Sequence, residues 1–273
     1  AGPAGTRRYG EYLGERLAHL DNIMWVLAGD RDPGEAFEHV NVLADGLLRP
    51  RPDRLALAHT ISRPLRFFPD ADWLTVNSTY SYGVLHRDLI KDVRASDRPN
   101  ILFETTYEGE HNASELQIRR QAWWALTLGA AGQFVGQWPV WPFREGWRAA
   151  LDSPGSTQVA AVRAFFESFP WWRTTLVPDG DFVGGEHFLR EGMGEMHGMD
   201  YASTAASADG DLIAVYVPAP RPVLPVLARF GGGRWRARAF DPVAGTFVGE
   251  FDVTAGDRIA PPTDHDWAVL LRR

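Results

Sequence analysis

The sequence predicts an α/β region over residues 1–177 followed by an all-β region over 178–273. Three observations point there. Short continuous apolar runs recur in the first part, too short for helices of their own and suited to strands buried on both faces of a parallel sheet. Helical stretches separate several of these runs, as βα units require. Past residue 178 the helical pattern stops, and apolar runs are divided by turn chemistry instead.

Tyr9 to Leu20 reads as a helix and leads into the apolar run Ile23 to Leu27. Leu55 to Ala58, Trp73 to Val76, Ile101 to Phe103 and a weaker run within Gly132 to Val135 follow as strands. Glu35–Leu48, Val84–Ala95 and Glu115–Leu128 are the intervening helices. The last has Asn112 as expected N-cap, with Glu115 three positions on, and Gly129 as its stop. In the second region Leu212 to Val217 and Trp267 to Leu271 read as strands. Asp209-Gly210 is a hairpin signal, and Gly231 to Gly233 and Ala244-Gly245 are further turns. A small antiparallel β-sandwich is expected, joined at Pro170 to Pro178, with Trp235 in its core.

Composition removes several classes of function. Asp and Glu number 35 against 28 Lys and Arg, a net charge of −7. Such a chain lacks the basic footprint of a nucleic-acid binder. No apolar run reaches the ~18 residues that span a bilayer, so no membrane partner is expected. The absence of Cys excludes thiol nucleophiles, disulfides and Cys-ligated zinc. No Gly-x-Ser-x-Gly elbow, dinucleotide fingerprint, Walker loop or His-Glu-x-x-His occurs, and no cofactor is expected. Glu186-His187 with Glu195 and His197 lies in a Gly/Met-rich stretch that no helix fixes, so it reads as solvated loop and no metal is expected. The sequence is rich in tryptophan, with 11. Most belong in the core, but flat aromatic faces also stack on sugars.

In parallel α/β sheets ligands sit at the carboxyl ends of the strands. The first run ends in Gly29-Asp30-Arg31 and the second in His59. The third ends in Asn77 and continues through Tyr80 and Tyr82. The fourth ends in Glu104, then Tyr107-Glu108, and the fifth leads to Gln137, Trp138 and Trp141. Loops are polar, so any one of these residues has an ordinary explanation as a solvated or capping group. An Asp and a Glu directly after two runs are more informative. Glycoside hydrolysis needs two facing carboxylates, one to protonate the leaving oxygen and one to attack the anomeric carbon or activate water. Trp and Tyr would stack on the sugar, and Asn and His would bond its hydroxyls.

Several phrases together carry a resemblance. Tyr9-Gly10-Glu11-Tyr12-Leu13-Gly14-Glu15-Arg16 precedes Asn22-Ile23-Met24-Trp25-Val26-Leu27-Ala28-Gly29-Asp30-Arg31. Later come Phe103-Glu104-Thr105-Thr106-Tyr107-Glu108-Gly109, Ile118-Arg119-Arg120-Gln121-Ala122-Trp123-Trp124, Gly129 to Gly132, and Leu151-Asp152-Ser153-Pro154-Gly155. These resemble the apiosidase-like glycoside hydrolases, family 140 and its relatives. The tail, through Asp209-Gly210, Val215 to Pro218 and Phe240-Asp241-Pro242, is similar to a domain of that family named for collagen binding.

The resemblance implies a (β/α)₈ barrel followed by a β-sandwich, a secreted or periplasmic location, and retention through a glycosyl-enzyme intermediate. It implies Asp30 as acid/base after strand four and Glu104 as nucleophile after strand seven, their carboxyl groups ~5–5.5 Å apart. Glu108 is the rival for the second role and, lying further from the apolar run, is expected to bind substrate. Arg31, His59, Asn77, Tyr80, Tyr107, Gln137, Trp138 and Trp141 complete the expected substrate contacts. Two departures stand out. Ala28 replaces the first Gly of the family's usual Gly-Gly-Asp, and Ser78 to Gly83 replaces its usual Gln-Ser-Gly-His. A barrel also takes ~250 residues, so by resemblance strands one to three are missing here and a second chain or an N-terminal fragment would supply them. The competing expectation is a non-catalytic carbohydrate-binding or structural protein with a degenerate barrel.

Overall fold

A computed structural model describes residues 2–176 and 188–273. The elements, in order, are α1 (Pro3–Arg16), β1 (Trp25–Ala28), α2 (Phe37–Leu48), β2 (Ala56–His59), β3 (Asn77–Ser81), α3 (Leu85–Val93), β4 (Asn100–Thr105), α4 (Glu115–Thr127), β5 (Gly132–Gln133), α5 (Trp147–Ala150) and α6 (Pro154–Phe166). They continue as β6 (Thr174–Leu176), β7 (Leu189–Glu191), β8 (Ser203–Ser207), β9 (Leu212–Val217), β10 (Leu224–Pro225), β11 (Trp235–Asp241), β12 (Thr246–Val253) and β13 (Trp267–Arg272). Residue contacts divide the chain into two compact units, 1–81 with 91–104, and 82–90 with 105–273. The composition change near 178 therefore falls inside the second unit.

The first unit is α/β as the periodicity predicts. β1 and β2 pair in parallel, Trp25 opposite Ala56 through Ala28 opposite His59. Leu27, Val40, Ala44, Leu47, Ala56, Ala58, Phe68 and Leu74 close its core between these strands and α2. α1 lies along α2 and is tied to it by Arg7–Asp45 at 2.9 Å and Arg49–Glu11 at 2.8 Å. These pairs are exposed and contribute a few tenths of a kcal/mol each.

One strand departs from expectation. Trp73 to Val76 is not a strand; β3 begins at Asn77, next to β4. The strand is polar yet almost wholly buried, and several of its side chains bond neighbouring strands, although Asn77 Oδ1 has no hydrogen-bond partner. Asn77 Nδ2 donates to Asn100 Oδ1 at 2.9 Å and to the Asp92 carbonyl at 3.1 Å. Asn100 Nδ2 donates to Thr79 Oγ1, and Ser78 Oγ to the Ala58 carbonyl. A buried polar network costs little when its members are paired.

In the second unit α4 starts at Ser114, whose Oγ accepts from the Gln117 N–H at 3.4 Å. Asn112 is not the cap; it sits in the preceding 3₁₀ turn with a φ of 61°. The all-β region is one six-stranded sheet in the order β12-β11-β13-β9-β8-β6, with a separate two-stranded β7–β10 sheet. Among the described residues no second sheet of comparable size faces it; α4 and α6 pack on the larger sheet instead. Trp123 of α4 stacks on Tyr216 of β9 at 5.1 Å and tilts over Phe240 of β11. Phe165 of α6 meets Phe240 edge-on at 5.3 Å. A further apolar cluster joins Phe188, Val223, Leu227 and Ile259 to Val215, Trp235 and Val269. β9 is consequently buried along its whole length, and Trp235 is core, as expected.

His86 shows the same economy. Its ring stacks on Tyr201 at 4.5 Å, and Nε2 lies 2.6 Å from the Met196 carbonyl. Burial lowers its pKa and keeps it neutral.

Candidate active site

The strand ends of the first unit carry a connected group. His59 closes β2 and Glu104 lies near the end of β4, with His59 Nε2 at 2.7 Å from Glu104 Oε2. Both stay in reach of solvent, at 19% and 14% side-chain exposure, so the carboxylate is paired but not sealed. The approach is close without being aligned, since Nε2 has no well-directed hydrogen-bond partner. The imidazole is held by rings rather than by that contact. Phe103 tilts against it at 4.7 Å and Tyr80 at 5.7 Å. Phe103 is a neighbour that sequence reasoning did not single out; its place beside Glu104 in the apolar run was the available signal.

Asp30 and Arg31 follow β1 in a tight turn, where Arg31 N–H donates to the Gly29 carbonyl at 2.6 Å. Asp30 is 58% exposed, and Arg31 approaches it only to 3.9 Å. Its carboxylate is therefore open to a ligand. Because Ala28 pairs with His59 in the β1–β2 register, Asp30 leaves the sheet at the same carboxyl edge from which His59 projects. Ala28 itself has a φ of 64°. A side chain in that left-handed region costs ~1–2 kcal/mol, of which glycine's extra freedom in the unfolded chain returns ~0.5–1. Ala28→Gly is expected to stabilise the protein by about 0.5–1 kcal/mol, read as a melting-temperature rise of about 2 °C.

Three expected substrate contacts are corrected. Asn77 stands at the amino end of β3, fully buried, with its amide committed to Asn100 and Asp92. It cannot reach a ligand. Glu108 is spent on architecture. Its carboxylate accepts from the N–H groups of Gly155 at 2.8 Å and Ser156 at 3.1 Å, from Ser153 Oγ at 2.5 Å and from Gln137 Nε2 at 2.9 Å. These donors are the first turn of α6, its N-cap Ser153 and the residue bridged to Glu108. Orphan N–H groups and the helix dipole favour an anion there. A Cβ on Gly155 would come within 2.4 Å of Glu108, so only glycine admits this contact. Gln137 is corrected with it: its amide also donates to the Ala150 carbonyl and to Ser153 Oγ.

The remaining expected contacts lie in the second unit. Tyr107 lies flat over Gly136, where a Cβ would stand 1.9 Å from the ring. Trp138 and Trp141 meet edge to face at 5.6 Å, and Trp141 is 59% exposed. Sequence reasoning missed Arg144, which lies over the Trp138 ring at 5.9 Å, and a second aromatic group in the same segment, Phe143 against Trp147 at 5.5 Å with Arg148 over the Trp147 ring at 4.3 Å; the density of aromatics from 134 to 147 marked them. Glu186 and His187 lie outside the described residues. Among the described residues no group of three or more His, Asp or Glu is arranged to hold a metal, and no helix is long and apolar enough to cross a membrane.

The profile of the family described as Apiosidase-like, catalytic domain matches residues 1–173, and the chain belongs to that family. Among solved structures it is similar to a glycoside hydrolase family 5 protein from Bacteroides vulgatus, with a TM-score of 0.84 at 20% identity over 99% of this chain and 67% of that one. A second glycoside hydrolase gives 0.81 at 19% identity, over 100% and 69%. A family 27 β-L-arabinopyranosidase from Geobacillus stearothermophilus gives 0.50 at 13%, over 98% and 62%. This chain thus spans about two thirds of the length of these structures. Comparison with curated proteins gives no match.

Proposed function

We propose that the chain carries the catalytic pair of a retaining glycosidase that removes a sugar from a plant or microbial polysaccharide side chain. The observation that supports this most is Glu104 at a strand end, partly open, braced by His59 and free of the capping duty that occupies Glu108. In this reading the Glu104 carboxylate attacks the anomeric carbon as the glycosidic C–O bond breaks, and Asp30 gives its proton to the departing oxygen. Asp30 then takes a proton from water, which attacks the same carbon and releases Glu104. Arg31, His59 and Tyr80 would contact the sugar at these strand ends. Among the described residues β1 pairs only with β2, and its free edge supports completion of a barrel by strands from another segment or chain.

Hydrolysis of a panel of aryl glycosides tests the reading, with the first-formed anomer followed by NMR. Wild type is expected to release product of retained configuration, and Asp30→Ala to lose ~10²–10⁴-fold in rate. Turnover unchanged by that substitution ends the assignment of Asp30. Inverted product ends the nucleophilic role of Glu104. Oligosaccharide binding without any turnover favours a non-catalytic carbohydrate-binding protein.

A further inference from the structure

A cleft of about 840 Å³ opens in the first unit, bordered by Arg63, Arg66, Arg98, Thr75, Ser96 and Asp97. It lies at the wrong end of the strands for the chemistry above. Thr75 lies two residues before β3, and Pro99 immediately precedes β4. Glu104 is five residues along β4 from Pro99, about 16 Å at the strand rise of ~3.3 Å per residue.

The charge of this cleft is unusual for its chain. Three guanidinium groups meet one lining carboxylate, in a protein of net charge −7. Arg63 leans toward Asp92, at 3.9 Å. Arg66 and Arg98 have no carboxylate within ion-pair distance among the described residues. Arg98 is the more telling of the two. Nη2 reaches only the Ala71 carbonyl at 3.4 Å, and Nη1 is buried with no hydrogen-bond partner. Nη1 itself is shielded from solvent, so an anion in the cleft would meet the accessible remainder of this side chain together with Arg63 and Arg66. Ser96 Oγ accepts from the backbone N–H of Arg98 at 3.3 Å, which fixes this turn on the cleft wall. Planar forks of N–H donors match oxyanions bidentately.

We propose that this cleft is a binding site for a small oxyanion: sulfate, phosphate or the carboxylate of an acidic sugar. The site is separate from the centre at Glu104 and stands or falls independently of the glycosidase reading. Asp97 on its rim limits the affinity and sets the preferred orientation of the anion.

Titration calorimetry on the full chain tests it, with sodium sulfate, inorganic phosphate and sodium glucuronate each run against sodium chloride at matched ionic strength. Saturable binding in the millimolar range is expected for at least one anion. Arg66→Gln should weaken it tenfold or more without moving the anion-free melting temperature, since Arg66 is exposed. Arg98→Gln should abolish it; if that variant fails to fold, Arg66→Gln still decides. Binding of glucuronate alone identifies a saccharide carboxylate, and binding of sulfate or phosphate a free oxyanion. No saturable heat in wild type, or wild-type affinity in Arg66→Gln, overturns the proposal.

Discussion

Glu104→Gln is expected to lower glycoside turnover by ~10³-fold or more while leaving the melting temperature within ~2 °C of wild type. Glu108→Gln is expected to act mainly on stability. The two carboxylates are four residues apart in sequence and differ in what surrounds them. Glu104 is partly exposed and faces the His59 imidazole, so its amide variant loses a nucleophile and little packing. Glu108 accepts four hydrogen bonds, two of them from backbone N–H groups at the start of α6. Gln at 108 replaces one acceptor oxygen by a donor that faces other donors. Hydrogen bonds to a charged group contribute ~1.5–3 kcal/mol each, and loss of a cap ~1. A total of about 3 kcal/mol, or about 6–10 °C in melting temperature, follows. Circular dichroism melts beside aryl-glycoside rates separate the two residues. A stable but inactive Glu108→Gln together with an active Glu104→Gln would exchange their roles.

The second large effect lies in the other region. Asp266→Ala is expected to cost about 3–5 kcal/mol, the range for breaking one side of a buried pair. Asp266 and Arg119 are both buried, with Arg119 Nε at 3.2 Å and Nη2 at 2.6 Å from its two oxygens. Tyr216 Oη donates to the same carboxylate at 2.9 Å. Burial and the neighbouring Asp266 charge push the Tyr216 hydroxyl pKa well up, so it remains a donor. Alanine at 266 would strand a buried guanidinium and a buried phenol together. The double variant Asp266→Leu with Arg119→Met should recover a substantial part of the loss, because the uncompensated charge is then gone. A double variant no better than the single one would show that the stability lies elsewhere.

Much of this architecture is legible in the sequence, and particular residues show where legibility stops. β9 and β13 are continuous apolar runs with turn signals at their ends, and pattern alone finds them. Helices α2 and α4 are found nearly to their boundaries by the same means. β3 escapes because Asn77, Ser78 and Thr79 are buried polar residues whose partners, Asn100 and the Ala58 carbonyl, lie on other strands. No local pattern encodes a satisfaction supplied from a distance. α6 escapes for a different reason. Ser153 followed by Pro154 is a helix start, and Ala161, Val162, Phe165 and Phe166 share one face. The Pro-Gly pair at its first turn reads as loop punctuation instead. At the candidate site, the strand-end positions of Asp30 and Glu104 are legible from the apolar runs that precede them. That Glu108 caps a helix 45 residues further on is not, because its donors become neighbours only on folding.

The packing of α4 bears on how such proteins diversify. The family match ends at residue 173, yet the ring of Trp123 rests on Tyr216 and the guanidinium of Arg119 is neutralised by Asp266. Exchange of the tail between relatives would bring in a foreign surface beneath an unaltered helix. A recombinant is therefore expected to survive only when α4 and α6 travel with the tail as one inherited block, so the seam for shuffling lies upstream, near the end of β4.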